Sequence, residues 1–221
     1  MLTLADPSLP AIPLADDAEP FVDLASYPDW AVDLSRSQIS SRSPHFLKAA
    51  APWPSGCAKP PAICRRPAFL CQGSVSPAGR QRRSYDEHLA RLRERRPELD
   101  EAQLLREASL YVAPPAVAPH PTGAALDLTL IDAAGMELDM GCPFNADSEE
   151  SGGACYTDSP GLSDQARTHR TVLIRAMQAA GFVNYPSEWW HWSYGDRYWA
   201  AQTGAPAALY AAVDESLLEA I

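Results

Sequence analysis

Apolar residues along the chain fall into helical and strand-like periods, separated by proline- and glycine-rich breaks. Over residues 85–112, Leu89 and Leu92 recur on one side among charged neighbours, the spacing of an amphipathic helix. Pro97 removes a helical hydrogen bond there, so the pattern predicts two helices or a kinked pair. Pro114, Pro115 and Pro119 predict an extended approach to Ala125–Leu130, where the period drops to two. Asp132-Ala133-Ala134-Gly135 reads as a turn and residues 136–140 as the returning strand of a hairpin. Residues 141–162 are predicted as a long loop. Ser163 and Asp164 then open a helix with Val172, Leu173, Met177 and Ala180 as its apolar stripe and Gly181 as its stop. Residues 187–194 read as an aromatic strand and 206–221 as a C-terminal amphipathic helix. Strands and helices mix without a βαβ rhythm and without a glycine-rich phosphate loop. The expectation is a single α+β domain over residues 1–221, with a small antiparallel sheet flanked by helices.

Composition narrows this picture only modestly. The 221 residues suit one domain, and 46% hydrophobic with 21% charged residues is ordinary for a folded protein. No run of eighteen apolar residues occurs, which argues against a membrane span. The first twenty residues carry acids and prolines where a secretory leader needs a basic start and an apolar core. A net charge of −10 argues against nucleic acid as the main partner. Five cysteines make an odd number for a disulfide framework. Together these predict a reduced, cytoplasmic globular protein.

Charge distribution changes the picture more. Residues 1–40 hold seven acids and one base, whereas residues 41–83 hold eight bases and no acid. That middle block also contains seven of the 21 prolines and three of the five cysteines, and follows neither structural period. A basic proline-rich linker, a polyanion-binding segment and a stretch translated out of frame all fit such a block. Cys57, Cys64 and Cys71 stand seven apart, wider than the two-to-four-residue spacing of compact zinc motifs, and are read as incidental.

Two of the five histidines come with partners. His45 lies in the anomalous block, and His88 and His169 lie on predicted helices, where solvated or capping roles suffice. His120 is followed by Gly123, two alanines and Asp127, a carboxylate inside an otherwise apolar strand that is costly to bury unless paired or metal-bound. His191 closes Glu188-Trp189-Trp190-His191-Trp192, an apolar wall around two ionisable groups. A hydrolytic zinc site needs two or three N/O ligands, an open position for water and a nearby carboxylate. His120, Asp127 and His191 would supply the ligands and Glu188 the base.

The pattern His120-x-x-Gly123-x-Ala125-x-Asp127, followed by Glu188-Trp189-Trp190-His191, resembles the zinc D-alanyl-D-alanine dipeptidases of the vancomycin-resistance type. These are related to the zinc DD-carboxypeptidases and the hedgehog amino-terminal fold. The likeness extends through Met140-Gly141-x-Pro143-Phe144, Ala180-Gly181-Phe182 and residues 185–200. It implies one zinc per chain on His120, Asp127 and His191, Glu188 as the base that activates water, and a small dipeptide as substrate. It also implies two neighbouring readings, a peptidoglycan DD-carboxypeptidase or a catalytically silent zinc domain that binds cell-wall peptides or a partner. Ala118 stands where the family usually has serine, and Asn145 where an aspartate helps to hold the substrate's ammonium group. Ser76 occupies the position of the family's transition-state arginine, and the apolar strand before it is expected to be missing. Arg80, Arg82 and Arg83 are nearby alternatives. Because the likeness lapses where the acids vanish, residues 43–84 are read as frame-shifted or otherwise corrupted.

Overall fold

The computed structural model describes residues 2–15, 21–23, 30–32, 48–50, 69–73, 76–214 and 216. Its centre is a five-stranded sheet in the order β2-β4-β5-β7-β6, formed by β2 (Trp30–Val32), β4 (Phe69–Gly73), β5 (Ala125–Leu130), β6 (Val183–Asn184) and β7 (His191–Ser193). Every pair is antiparallel except the parallel edge pair of β2 and β4. A separate ladder joins β1 (Phe21–Asp23) to β3 (Lys48–Ala50). The α+β expectation therefore holds, with the antiparallel part at the sheet's centre.

Strand β5 explains why one face of this sheet carries chemistry. Side chains alternate between faces, and Leu126, Leu128 and Leu130 pack in the main core with Leu173, Met177, Trp190 and Trp192. Asp127 points the other way and is the only residue of β5 that is not fully buried. The core helix is α3 (Asp164–Ala179), whose N-cap Ser163 accepts from the Ala166 N–H as its sequence predicts. Its stripe is Ala166, Arg170, Leu173 and Met177. Arg170 is the surprise: 2% exposed, it donates to the carbonyls of Met140, Ala154, Tyr156 and Thr157. Its guanidinium also lies 5.5 Å from the centre of the Trp189 ring. One cation thereby ties down the Met140 carbonyl and three carbonyls of the 141–162 loop.

Pro97 divides the first helical region as expected, into α1 (Ala78–Arg95) and α2 (Glu101–Ala108). A reciprocal cap between Asp100 and Gln103 restarts the second helix.

Three predicted elements are corrected. The return at 136–140 forms one bridge, Ile131↔Glu137, rather than a strand. Leu138 bonds the Leu130 carbonyl, but the Leu128 N–H on the same edge is already taken by Trp190, so pairing stops. The aromatic strand shortens to His191–Ser193, since Glu188 N–H to Tyr185 O and His191 N–H to Glu188 O fold the preceding residues into turns. Residues 206–214 are not helical: Ala208 N–H bonds Pro13 O and Val213 N–H bonds Pro121 O, which diverts these backbone groups from a helix. The helix that does form is α4 (Arg197–Thr203), capped by Asp196 and ended by Gly204 in the left-handed region.

Among the described residues, no helix is long and apolar enough to cross a membrane. Most of the 43–84 block lies outside the described residues. Its described part includes β4, which pairs with β5 at Phe69↔Leu130 and Leu70↔Thr129, so a strand does stand where the apolar run seemed missing.

Candidate metal centre

Each of the four candidate side chains is positioned by a different device. His120 opens a short 3-10 turn, His120–Thr122, that Gly123 closes at φ 69°. The Thr122 hydroxyl donates to Pro119 O and accepts from Ala124 N–H, which fixes that turn from within. Asp127 and His191 are direct cross-strand partners in the β5–β7 register. Glu188 sits in the turn before β7, where the Asn184 side-chain amide donates to the carbonyls of both Glu188 and His191.

These devices bring the three expected ligands together. One ligand atom from each of His120, Asp127 and His191 lies within 4.8 Å of the others. His120 Nε2 is 3.3 Å from Asp127 Oδ2, and His191 Nδ1 is 3.1 Å from Asp127 Oδ1. Ligand atoms at two corners of a zinc tetrahedron with 2.0–2.1 Å bonds stand about 3.3 Å apart, so this N₂O set suits zinc in size and donor chemistry and leaves a position open. Glu188 Oε2 is 3.8 Å from His191 Nδ1, on the same side of that ring.

The two carboxylates are driven in opposite directions. Burial would raise the Asp127 carboxyl, but the charge of His120 and hydrogen bonds from both imidazoles overcome it and hold the group well below the usual range. Burial pushes Glu188 up to about 8, with the Asp127 charge adding to the shift and His120 opposing it. Beside the centre lies a cavity of about 100 Å³ lined by His120, Asp127, His191 and Glu188. A second, of about 310 Å³, shares Tyr111, Asn145, Glu188 and Trp190 with it and runs outward along α1. Asn145, at the border of both, is the only described non-glycine residue with positive φ, at 62°.

A family model described as D-ala-D-ala dipeptidase matches residues 98–206. Over these residues the chain is similar to that family. It is 42% identical over 91 residues to a protein of Synechocystis sp. named D-alanyl-D-alanine dipeptidase, covering 38% of this chain and 37% of that one. Proteins of the same name from Escherichia coli K12 and Enterococcus faecalis V583 are 40% identical over 72 residues and 31% identical over 101. Those matches cover 33% and 45% of this chain and 35% and 46% of the relatives, so the chain spans less than half the length of the curated relatives it matches.

The family's departures have physical places here. Ser76 is buried beside the ligand turn, its N–H donating to His120 O at 3.4 Å, and its hydroxyl has no partner among the described residues. Arg82 and Arg83 are exposed and Arg80 half-buried on the first turns of α1, and none of the three lines either cavity. Ala118 is buried just before the ligand turn. His169 caps the carbonyl of Asp139, as a helical histidine was expected to. His88 is more than solvated: half-buried, it lines the larger cavity with Ser84, Glu87 and Arg91. This wall went unread because a charged helix face gives no sign of what it faces. Cys142 and Cys155 are free thiols, and His45, Cys57 and Cys64 lie outside the described residues.

Proposed function

We propose that the chain is a zinc-dependent dipeptidase that splits D-alanyl-D-alanine, or a similar small dipeptide, into free amino acids. The observation that carries this reading is the convergence of His120, Asp127 and His191 with Glu188 3.8 Å from one of them, in a chain whose relatives are named D-alanyl-D-alanine dipeptidases. Held by these three side chains, one zinc would polarise the peptide carbonyl and acidify a water. Glu188 takes the proton of the attacking water as the new C–O bond forms, and returns it to the leaving amine as the C–N bond breaks. Its raised proton affinity suits both halves of that exchange, and positive charge at the centre lowers that affinity again. Asp127 stays ionised throughout, and the buried Trp190 lines both cavities beside the centre.

Two positions shape how well this works. Asn145 offers an uncharged amide where an acid would grip an ammonium group, which loosens selectivity for the dipeptide's free amine. Ser76 supplies a hydroxyl where a cation would stabilise the oxyanion, and this favours a second reading: a zinc-holding domain that binds cell-wall peptides and turns them over slowly. Release of free D-alanine by the zinc-loaded protein, compared with its Glu188→Gln variant, separates the two. The dipeptidase reading expects Glu188→Gln to keep its zinc and lose about 10²–10⁴ of the turnover. Loss of zinc in that variant would make Glu188 a ligand, and unchanged turnover would end its role as base.

A further inference from the structure

Asp196 is a buried carboxylate that the proposed reaction does not use. It is 1% exposed, and its Oδ1 accepts from the Trp199 N–H at 2.6 Å to cap α4. Capping alone does not account for it, because serine or asparagine caps as well without burying a charge. Its other oxygen, Oδ2, is buried and has no hydrogen bond of good geometry among the described residues. Burial pushes the Asp196 carboxyl up, while the Trp199 N–H, the Ser193 hydroxyl and the imidazoles of His191 and His120 pull it back. Gly195 makes this approach possible. At φ 87° it reverses the chain after β7, and a Cβ there would come within 2.6 Å of the Tyr210 ring.

Ser193 links Asp196 to the centre. It lies two residues after His191 in β7, so both face the same side, and its cross-strand neighbour is the small Ala125. Ser193 is 0% exposed, and its Oγ stands 3.4 Å from His191 Nε2. The two nitrogens of His191 therefore meet different surroundings: Nδ1 faces Asp127 and Glu188, and Nε2 faces a hydroxyl. To offer a lone pair from Nδ1, the ring must carry its proton on Nε2, and that N–H needs an acceptor.

We propose that Ser193 and Asp196 form a supporting chain behind His191, in which Nε2–H donates to Ser193 Oγ and the Ser193 hydroxyl donates to Asp196 Oδ2. In the metal-bound protein the chain fixes the tautomer and tilt of the imidazole, so that Nδ1 is bare and aimed at the ligand cluster. Ser193 and Asp196 are positioning residues, and this inference rests on the reading of His191 as a metal ligand. Partners of this kind typically contribute 10–100-fold to metal affinity.

The test is zinc affinity by chelator competition for the wild-type chain, Ser193→Ala, Asp196→Asn and the double variant, with the melting midpoint of each metal-free protein. Asparagine keeps the oxygen that caps α4, so the midpoint of Asp196→Asn should stay near wild type while its zinc affinity falls about 10-fold or more. Ser193→Ala should fall by a similar factor, and the double variant should be little worse than the weaker single, because cutting a chain twice costs little more than cutting it once. Nitrogen chemical shifts of the zinc-loaded wild type should show the His191 proton on Nε2. Full affinity in both singles, or losses that multiply in the double variant, would overturn the chain. Should Asp196→Asn fail to fold, Ser193→Ala, which removes one buried oxygen, decides alone. A wild-type protein that binds no zinc, or a His191→Ala variant that binds it as tightly, would instead show that the metal reading has failed.

Discussion

Glu188 and Asp127 are both acids within reach of the same imidazoles, yet their surroundings part them. Asp127 accepts from two rings and stays ionised, whereas Glu188, 21% exposed and beside that charge, keeps its proton to about pH 8. This has a consequence for the metal-free protein. Folded Glu188 binds its proton more tightly than the unfolded chain does, so its contribution to stability is full below about pH 4.5 and is lost as pH rises towards 8. Asp127, with its proton affinity depressed, contributes above about pH 4 and loses that contribution on acidification. Denaturant midpoints measured in chelator should therefore fall between about pH 5 and 8, and Glu188→Gln should flatten that fall. Equal slopes for the two proteins would contradict this account of the Glu188 environment. The four residues of the centre were legible in the sequence because a carboxylate in an apolar strand and a Glu-x-x-His pair among tryptophans have few uses other than pairing or metal binding. Arg170, Ser193 and Asp196 were not legible, since their roles depend on which carbonyls and rings the fold places beside them.

The helix break at Pro97 and the helix start at Ser163 follow local punctuation and match the prediction, whereas elements set by tertiary contacts depart from it. Pro97 and the Ser163 cap each mark a helix boundary that survives folding, and the structure adds the Asp100 cap that restarts α2. Helix α4 carries equally local signs, Asp196 before it and Gly204 after it, but they were overlooked within the aromatic run. The expected helix at 206–221 is absent over residues 206–214 because Ala208 and Val213 spend their N–H groups on Pro13 and Pro121. Gly195 is the position where this level is most exposed to test. Alanine there meets Tyr210 at 2.6 Å with the backbone held at φ 87°. Gly195→Ala should destabilise the fold by about 1–3 kcal/mol and weaken metal binding through the displaced Asp196, as read by thermal melting and zinc titration. A variant as stable as the wild type would mean that the β7–α4 turn is far more pliant than its contacts imply.

At the scale of the whole chain, residues 98–206 match the family model and carry the centre, while the block from 41 to 83 carries the anomaly of eight bases and no acid. We propose that residues 1–221 form one domain and that residues 43–84 are translated out of frame, a reading that the nucleotide sequence across those codons decides. A missing oxyanion donor costs about 10²–10³ in turnover, so the chain as written should hydrolyse D-alanyl-D-alanine slowly. Ser76→Arg alone should recover little, because an arginine acts on a transition state only when packed neighbours hold it. Substituting the alternative-frame translation of 43–84 should restore both stability and rate in a side-by-side dipeptide assay, and full activity of the chain as written would refute the arginine argument. The slow rate expected of this chain makes metal content a more direct measure of its centre than turnover. Zinc bound per chain at neutral pH, measured after dialysis for the wild type and for His191→Ala, tests the centre itself. The account predicts one zinc in the wild type and almost none in the variant, and equal zinc in the two would contradict it.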